Sequence, residues 1–164
     1  AQALGAGKRH RVNEALKWAV AISLGFSALF FTAVNLFAPH IASIFTKSAE
    51  VTAGTVSYFR IVTFTYFFFS LLFVFQGVIR GAGDTVPSTA IAFISLLLIR
   101  GSLAHFLPSV NGLNECGIWI ALVISAATAS LLNGIYFSTG RWARVYDRTA
   151  AKKAAMVEDK VQSA

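Results

Sequence analysis

Between Trp18 and Phe37 the chain carries no Asp, Glu, Lys or Arg. At about 1.5 Å of rise per helical residue, a run of this length reaches across a hydrocarbon core of roughly 30 Å. In lipid every backbone N–H and C=O must be satisfied within the segment itself, so such a run folds as a helix. Three further apolar runs follow, and the four spans are expected at about 18–37, 58–79, 88–107 and 117–137. The fold class expected is an all-α membrane protein with four transmembrane helices. Composition agrees: 56% of the 164 residues are hydrophobic and only 13% are charged, where a soluble domain is about a quarter charged.

The charge that remains is basic, with 14 Lys and Arg against 7 Asp and Glu. Its distribution fits anionic lipid and membrane orientation better than a phosphate-binding face, and no nucleic acid partner is expected. Nearly all of the cations lie between or beyond the runs, where they meet anionic membrane lipid and set orientation. Lys8, Arg9 and Arg11 precede the first span, Arg80 lies between the second and third, and Arg141, Arg144, Arg148, Lys152, Lys153 and Lys160 follow the fourth. The opposite loops hold Lys47 and Arg60. By the positive-inside rule both termini of this piece are cytoplasmic, in a multi-pass protein of the inner or plasma membrane. The single cysteine, Cys116, read as a loop residue, excludes an intrachain disulfide and a multi-cysteine metal site. No metal site, cofactor or catalytic group is indicated, and the protein is not read as an enzyme.

Punctuation between the runs is clear. Pro39 and His40 are expected to end the first helix, with a connection over 41–50 in which Ser48 caps the next helix and Glu50 sits in its first turn. The segment Gln76-Gly77-Val78-Ile79-Arg80-Gly81-Ala82-Gly83-Asp84-Thr85 is a glycine-dense break. Its glycines give backbone freedom for a reversal, and Gly77 and Gly81 are spaced to admit a neighbouring helix. Asp84 is expected as a helix cap or as a partner of Arg80, and Pro87 falls in the first turn of the third helix. Pro108 and Asn111-Gly112 end that helix, and the small residues 125–130 suit close packing in the fourth. A second Gly-Ala-Gly loop, Leu4-Gly5-Ala6-Gly7-Lys8, is not a phosphate-binding P-loop, because Lys8 is followed by Arg9.

Within the spans few polar groups stand out. Arg100 is the one charge deep inside a span, a candidate for a cavity or partner, but it is read as a structural tie rather than as a functional group. Gln76 and Asn133 must find partners inside the protein, whether across helices or along a transport pathway. Tyr66, with Phe67, Phe68, Phe69 and Phe73, offers faces for a cationic aromatic ligand or for lipid. His105, near the outer end of the third span, is read as interfacial rather than as a proton relay. In the tail, Arg141, Arg144 and Arg148 recur at helical spacing with Trp142 beside them, and an amphipathic helix on the membrane surface is expected. The organisation expected is 1–142 for the four helices and 143–164 for a basic cytoplasmic tail.

The segments 2–8, 75–85 and Cys116-Gly117-Ile118-Trp119-Ile120-Ala121, in this order and spacing, resemble the multidrug and toxic compound extrusion (MATE) family. The resemblance runs from residue 1 to about Trp142 and implies a twelve-helix, two-lobe transporter that exports cationic drug-like substrates in exchange for Na⁺ or H⁺. By it, this chain is the last four helices of the second lobe, a C-terminal fragment not competent for transport alone, whose partners are the remaining helices. One branch of the family carries a carboxylate in the helix ending at the Arg-Gly loop; residues 61–79 hold none, so the coupling site is not placed on this chain. Arg100-Gly101-Ser102 also lacks the proline that commonly follows the family's arginine here. A lipid-linked polysaccharide or lipid flippase of the wider superfamily is the alternative substrate class. A small four-helix multidrug transporter fits the span count but needs a carboxylate in its first helix, where 18–37 has none.

Overall fold

A computed structural model describes residues 9–109, 113–147 and 151, with the side chains of 9–11 and 114 excepted. Helix α1 is Arg9–Phe45 and α2 is Ala49–Gly81. The third span is continuous but built in pieces: α3 (Thr85–Phe93), a π-helical stretch Ile94–Ile99, α4 (Arg100–Phe106) and a 3-10 turn Leu107–Ser109. Helix α5 is Asn114–Ser138, and a short helix, α6, covers 141–147. Four of these segments are long and apolar enough to cross a membrane, Val12–Phe45, Ala49–Gly81, Thr85–Ser109 and Glu115–Ser138. The Leu4–Lys8 loop, Asn111-Gly112, Arg148 and the tail beyond 151 lie outside the described residues.

The spans form a layer in the order α1, α2, α5, third span, because α1 packs on α2, α2 on α5, and α5 on the third span. The two inner helices bury the larger share of their apolar windows, 22% for α2 and 33% for α5, against 6% for each flanking span. Close approach comes from small residues: Ala121, Ser125, Ala126 and Ala129 are fully buried on α5, and Ala38 and Ala42 play this part on α1. Polar ties cross the α1–α2 seam, where Asn35 Nδ2 donates to Thr63 Oγ1 at 3.1 Å and Ser27 Oγ donates to the Tyr66 carbonyl at 3.4 Å. The outward flank of α1, by contrast, exposes Trp18, Ile22, Phe26, Leu29 and Leu36, an apolar stripe for lipid or further helices.

The first helix does not stop at Pro39. It runs on to Phe45, and the connection to α2 shrinks to 46–48. Proline removes one N–H donor, but Ala38 and Ala42 on either side are buried, and that packing carries the helix across the lost bond. Ser48 occupies the N-cap position of α2 without a side-chain capping bond. Helix α2 begins well before residue 58, so Arg60 is an exposed residue of a long helix and not its start. Cys116 lies in the first turn of α5 and not in a loop.

Candidate functional site: the hinge end, Arg100 and the aromatic groove

At the hinge, α2 ends in a Schellman turn. The Asp84 N–H donates to the Ile79 carbonyl at 3.2 Å, the Gly83 N–H to the Arg80 carbonyl at 2.9 Å, and Gly83 takes φ +89°. One glycine of the three therefore makes the reversal. Gly77 has open space where a Cβ would stand, so it admits no neighbouring helix; the close approaches occur at Gly117, against the backbone of Pro108, and at Gly134, against the Phe75 ring. Asp84 sits at the N-cap of α3 but makes no side-chain cap. Its Oδ2 instead accepts the hydroxyl of Tyr136, tying the hinge to α5; Arg80 is exposed.

Beside this bond lies a small apolar core of Val12, Ile79, Ala82, Trp142 and Ala143, with Tyr136, Phe137 and Tyr146 around it. Gly140, at φ +66°, turns the chain after α5 and delivers α6 into that core. Trp142 stacks on Phe137 with ring centroids 5.2 Å apart and donates Nε1–H to the Phe137 carbonyl at 2.9 Å. At 6% exposure, Trp142 faces protein and not the membrane surface. The exposed cations of α6 are Arg141 and Arg144. The boundary expected after residue 142 falls inside this packed helix.

Mid-chain, the sequence-derived candidates separate. Gln76 and Asn133 are buried, at 4% and 0% exposure; Asn133 Nδ2 donates back to the Ala129 carbonyl at 2.9 Å, while its Oδ1 has no hydrogen-bond partner. Arg100 is half-buried and donates Nε–H to Ser125 Oγ at 3.0 Å. His105 is exposed, edge-on to Phe106.

Tyr66 lies with Phe26, Ser27, Phe30, Phe69, Ser70 and Phe73 around an open groove of about 330 Å³ between α1 and α2. Phe30 meets Tyr66 edge to face at 5.0 Å, and Phe69 stacks on Phe73 at 6.0 Å. By helix rise Tyr66 is roughly 25 Å from the start of α2, near mid-depth. A groove of aromatic rings with three hydroxyls, those of Ser27, Tyr66 and Ser70, accepts a flat apolar body and attracts cationic charge to the ring faces. At the end opposite the hinge a second groove, of about 430 Å³, is lined by Glu50, Glu115, Tyr58 and Trp119, the last two rings 5.5 Å apart. Sequence reasoning missed both its carboxylates as neighbours. Each reads locally as an acidic residue in a first helical turn, and the α2–α5 packing brings them together. Among the described residues no group of three His, Cys, Asp or Glu could hold a metal ion.

Four apolar spans define a multi-pass helical membrane protein. The model of the MatE family matches residues 1–105, and the chain belongs to that family. It is 24% identical over 158 residues to a probable multidrug resistance protein NorM of Thermotoga maritima, covering 96% of this chain and 32% of that protein. It is 23% identical over 129 residues to the NorM protein of Bacillus subtilis of the same description, covering 79% of this chain and 28% of that one. The chain thus spans about a third of the length of the curated relatives it matches. No solved structure matches it.

Proposed function

We propose that this chain is the C-terminal four-helix part of a multidrug efflux antiporter, coupled to Na⁺ or H⁺, that exports cationic aromatic compounds by alternating access. Family membership supports the transporter class, and the names of the relatives support multidrug export. The observation that carries the substrate class is the Tyr66 groove, a mid-depth surface of four phenylalanines and a tyrosine without arginine in its lining. A flippase for anionic lipid-linked sugars would call for the opposite lining. Glu50 and Glu115 beside Tyr58 and Trp119 add a cation-favouring mouth at the end opposite the hinge.

In this reading the hinge end faces the cytoplasm, since Arg80, Arg141 and Arg144 gather there, and the two arginines of α6 rest on anionic lipid headgroups. The coupling carboxylate and the remaining helices lie outside this chain, which does not transport by itself. Alternating access follows from rigid groups of helices rocking about a shared cavity, and the Asp84–Tyr136 bond with the Trp142 core makes these four helices move as one such group.

The test is efflux of a fluorescent aromatic cation by cells expressing the complete transporter. Loss of a cation–π face is worth about 0.5–1 kcal/mol, so Tyr66→Ala is expected to lower kcat/KM for that cation roughly two- to fivefold, with Tyr66→Phe near wild type. Unchanged efflux by Tyr66→Ala, at equal membrane abundance, would remove the groove from the pathway.

A further inference from the structure

We infer that Arg100 is one half of an intramembrane ion pair whose other half is a carboxylate on a membrane segment outside this chain. The starting point is where the guanidinium lies. Gly117 and Pro108 are in contact at the end opposite the hinge, which puts α5 and the third span on a common level. Counted from that contact, Arg100 and Ser125 are both roughly 12 Å deeper along their helices. The Nε–Ser125 Oγ bond of 3.0 Å therefore holds the head group at the depth of its own Cα. A snorkelling arginine would extend outward to the headgroups instead.

At that depth the charge is only partly answered. Ser125 is a neutral acceptor, and its own hydroxyl proton goes to the Leu122 carbonyl at 2.9 Å. Nη2 of Arg100 is buried with no hydrogen-bond partner. A guanidinium keeps its proton under all ordinary conditions, so it cannot escape the cost of burial by becoming neutral. Charged groups at membrane depth persist when they are paired or face a polar cavity.

The described residues do not supply the counter-charge: their acidic groups are Glu14, Glu50, Asp84, Glu115 and Asp147, which lie near the ends of spans, at the hinge or in α6. The chain covers about a third of its relatives' length, so other membrane segments are available to bring one. The surface around Arg100 is open to such a segment: Leu97, Leu98 and Phe106 on the same span are 56%, 55% and 64% exposed, and Gly101 has free space above it. With Nε committed to Ser125 and Nη2 enclosed by this chain, the remaining nitrogen, Nη1, is the one left for a carboxylate from another segment, and a charge-assisted hydrogen bond there answers the charge that Ser125 does not. The inference rests on the reading of this chain as part of a longer transporter, but it does not depend on the exported substrate.

The experiment is infrared difference spectroscopy on the purified, substrate-free complete transporter, comparing wild type with Arg100→Met and Arg100→Lys. Removing the positive charge raises the pKa of a buried carboxylate, which then takes up a proton. Arg100→Met is expected to add one protonated-carboxyl C=O band that shifts in D₂O, and Arg100→Lys to add none. Should Arg100→Met fail to accumulate, Arg100→Gln, which can still bond Ser125, serves for the same comparison. Absence of a new carboxyl band in whichever neutral variant folds overturns the inference, and a partner that is a lipid phosphate or water gives that same negative result. Transport plays no part in this readout, so a failure here leaves the efflux reading standing, and an inactive transporter leaves this one standing.

Discussion

Asp84 and Tyr136 show what a single residue can fasten. The carboxylate is 9% exposed, and its hydrogen bond from the Tyr136 hydroxyl joins the hinge to the end of α5. Tyr136→Phe leaves that acceptor unsatisfied and is expected to cost about 1–3 kcal/mol, read as a lower unfolding temperature in detergent. The glycines divide in a similarly local way. Gly117→Ala would place a Cβ 2.7 Å from the Pro108 backbone nitrogen, where neither backbone segment can easily yield, so it should destabilise or misassemble the α5–third-span contact. Gly77→Ala, exposed within α2 and with nothing in reach, should stabilise by roughly 0.5–1 kcal/mol. Thermal unfolding of the two variants side by side checks both signs. Nothing in the sequence separates these glycines, because the distinction lies in what another helix brings near them.

At the scale of elements, the number of spans was legible, since charge-free apolar runs have no other stable form in lipid. Their ends were not. Helices α1 and α2 run past the apolar windows because helical hydrogen bonding continues through polar residues, and Pro39 was misjudged because its buried neighbours outweigh one missing bond. Pro39→Ala is expected to raise stability by about 1 kcal/mol or more, measured by the same unfolding assay. Helix α6 was legible as a helix but not in its packing. The spacing of Arg141, Arg144 and Arg148 gives the polar face, whereas the burial of Trp142 depends on the Gly140 turn that folds α6 back onto Ile79 and Ala82. Trp142→Ala removes the Phe137 stack and the Nε1–H bond, and should raise amide hydrogen exchange across 141–147 while the spans stay protected.

For the whole molecule, the layer order α1, α2, α5, third span leaves two flanking helices with little burial, while the inner pair is held by small residues and a few polar ties. The candidate site residues offered by the sequence are spread across this layer: Tyr66 on the α1–α2 groove, Arg100 on the far seam, Asn133 buried on α5 between them and Arg80 at the hinge end. The family was readable from the three segments at 2–8, 75–85 and 116–121; the juxtaposition of Glu50 with Glu115 was not, since it exists only once α2 and α5 pack. The most direct test of the transport reading is gradient-driven uptake of an aromatic cation by the complete transporter in proteoliposomes. Accumulation that rises with an imposed Na⁺ or H⁺ gradient and collapses when an ionophore dissipates it is the predicted result. Equal uptake with and without either gradient, by protein shown to be folded, would contradict it.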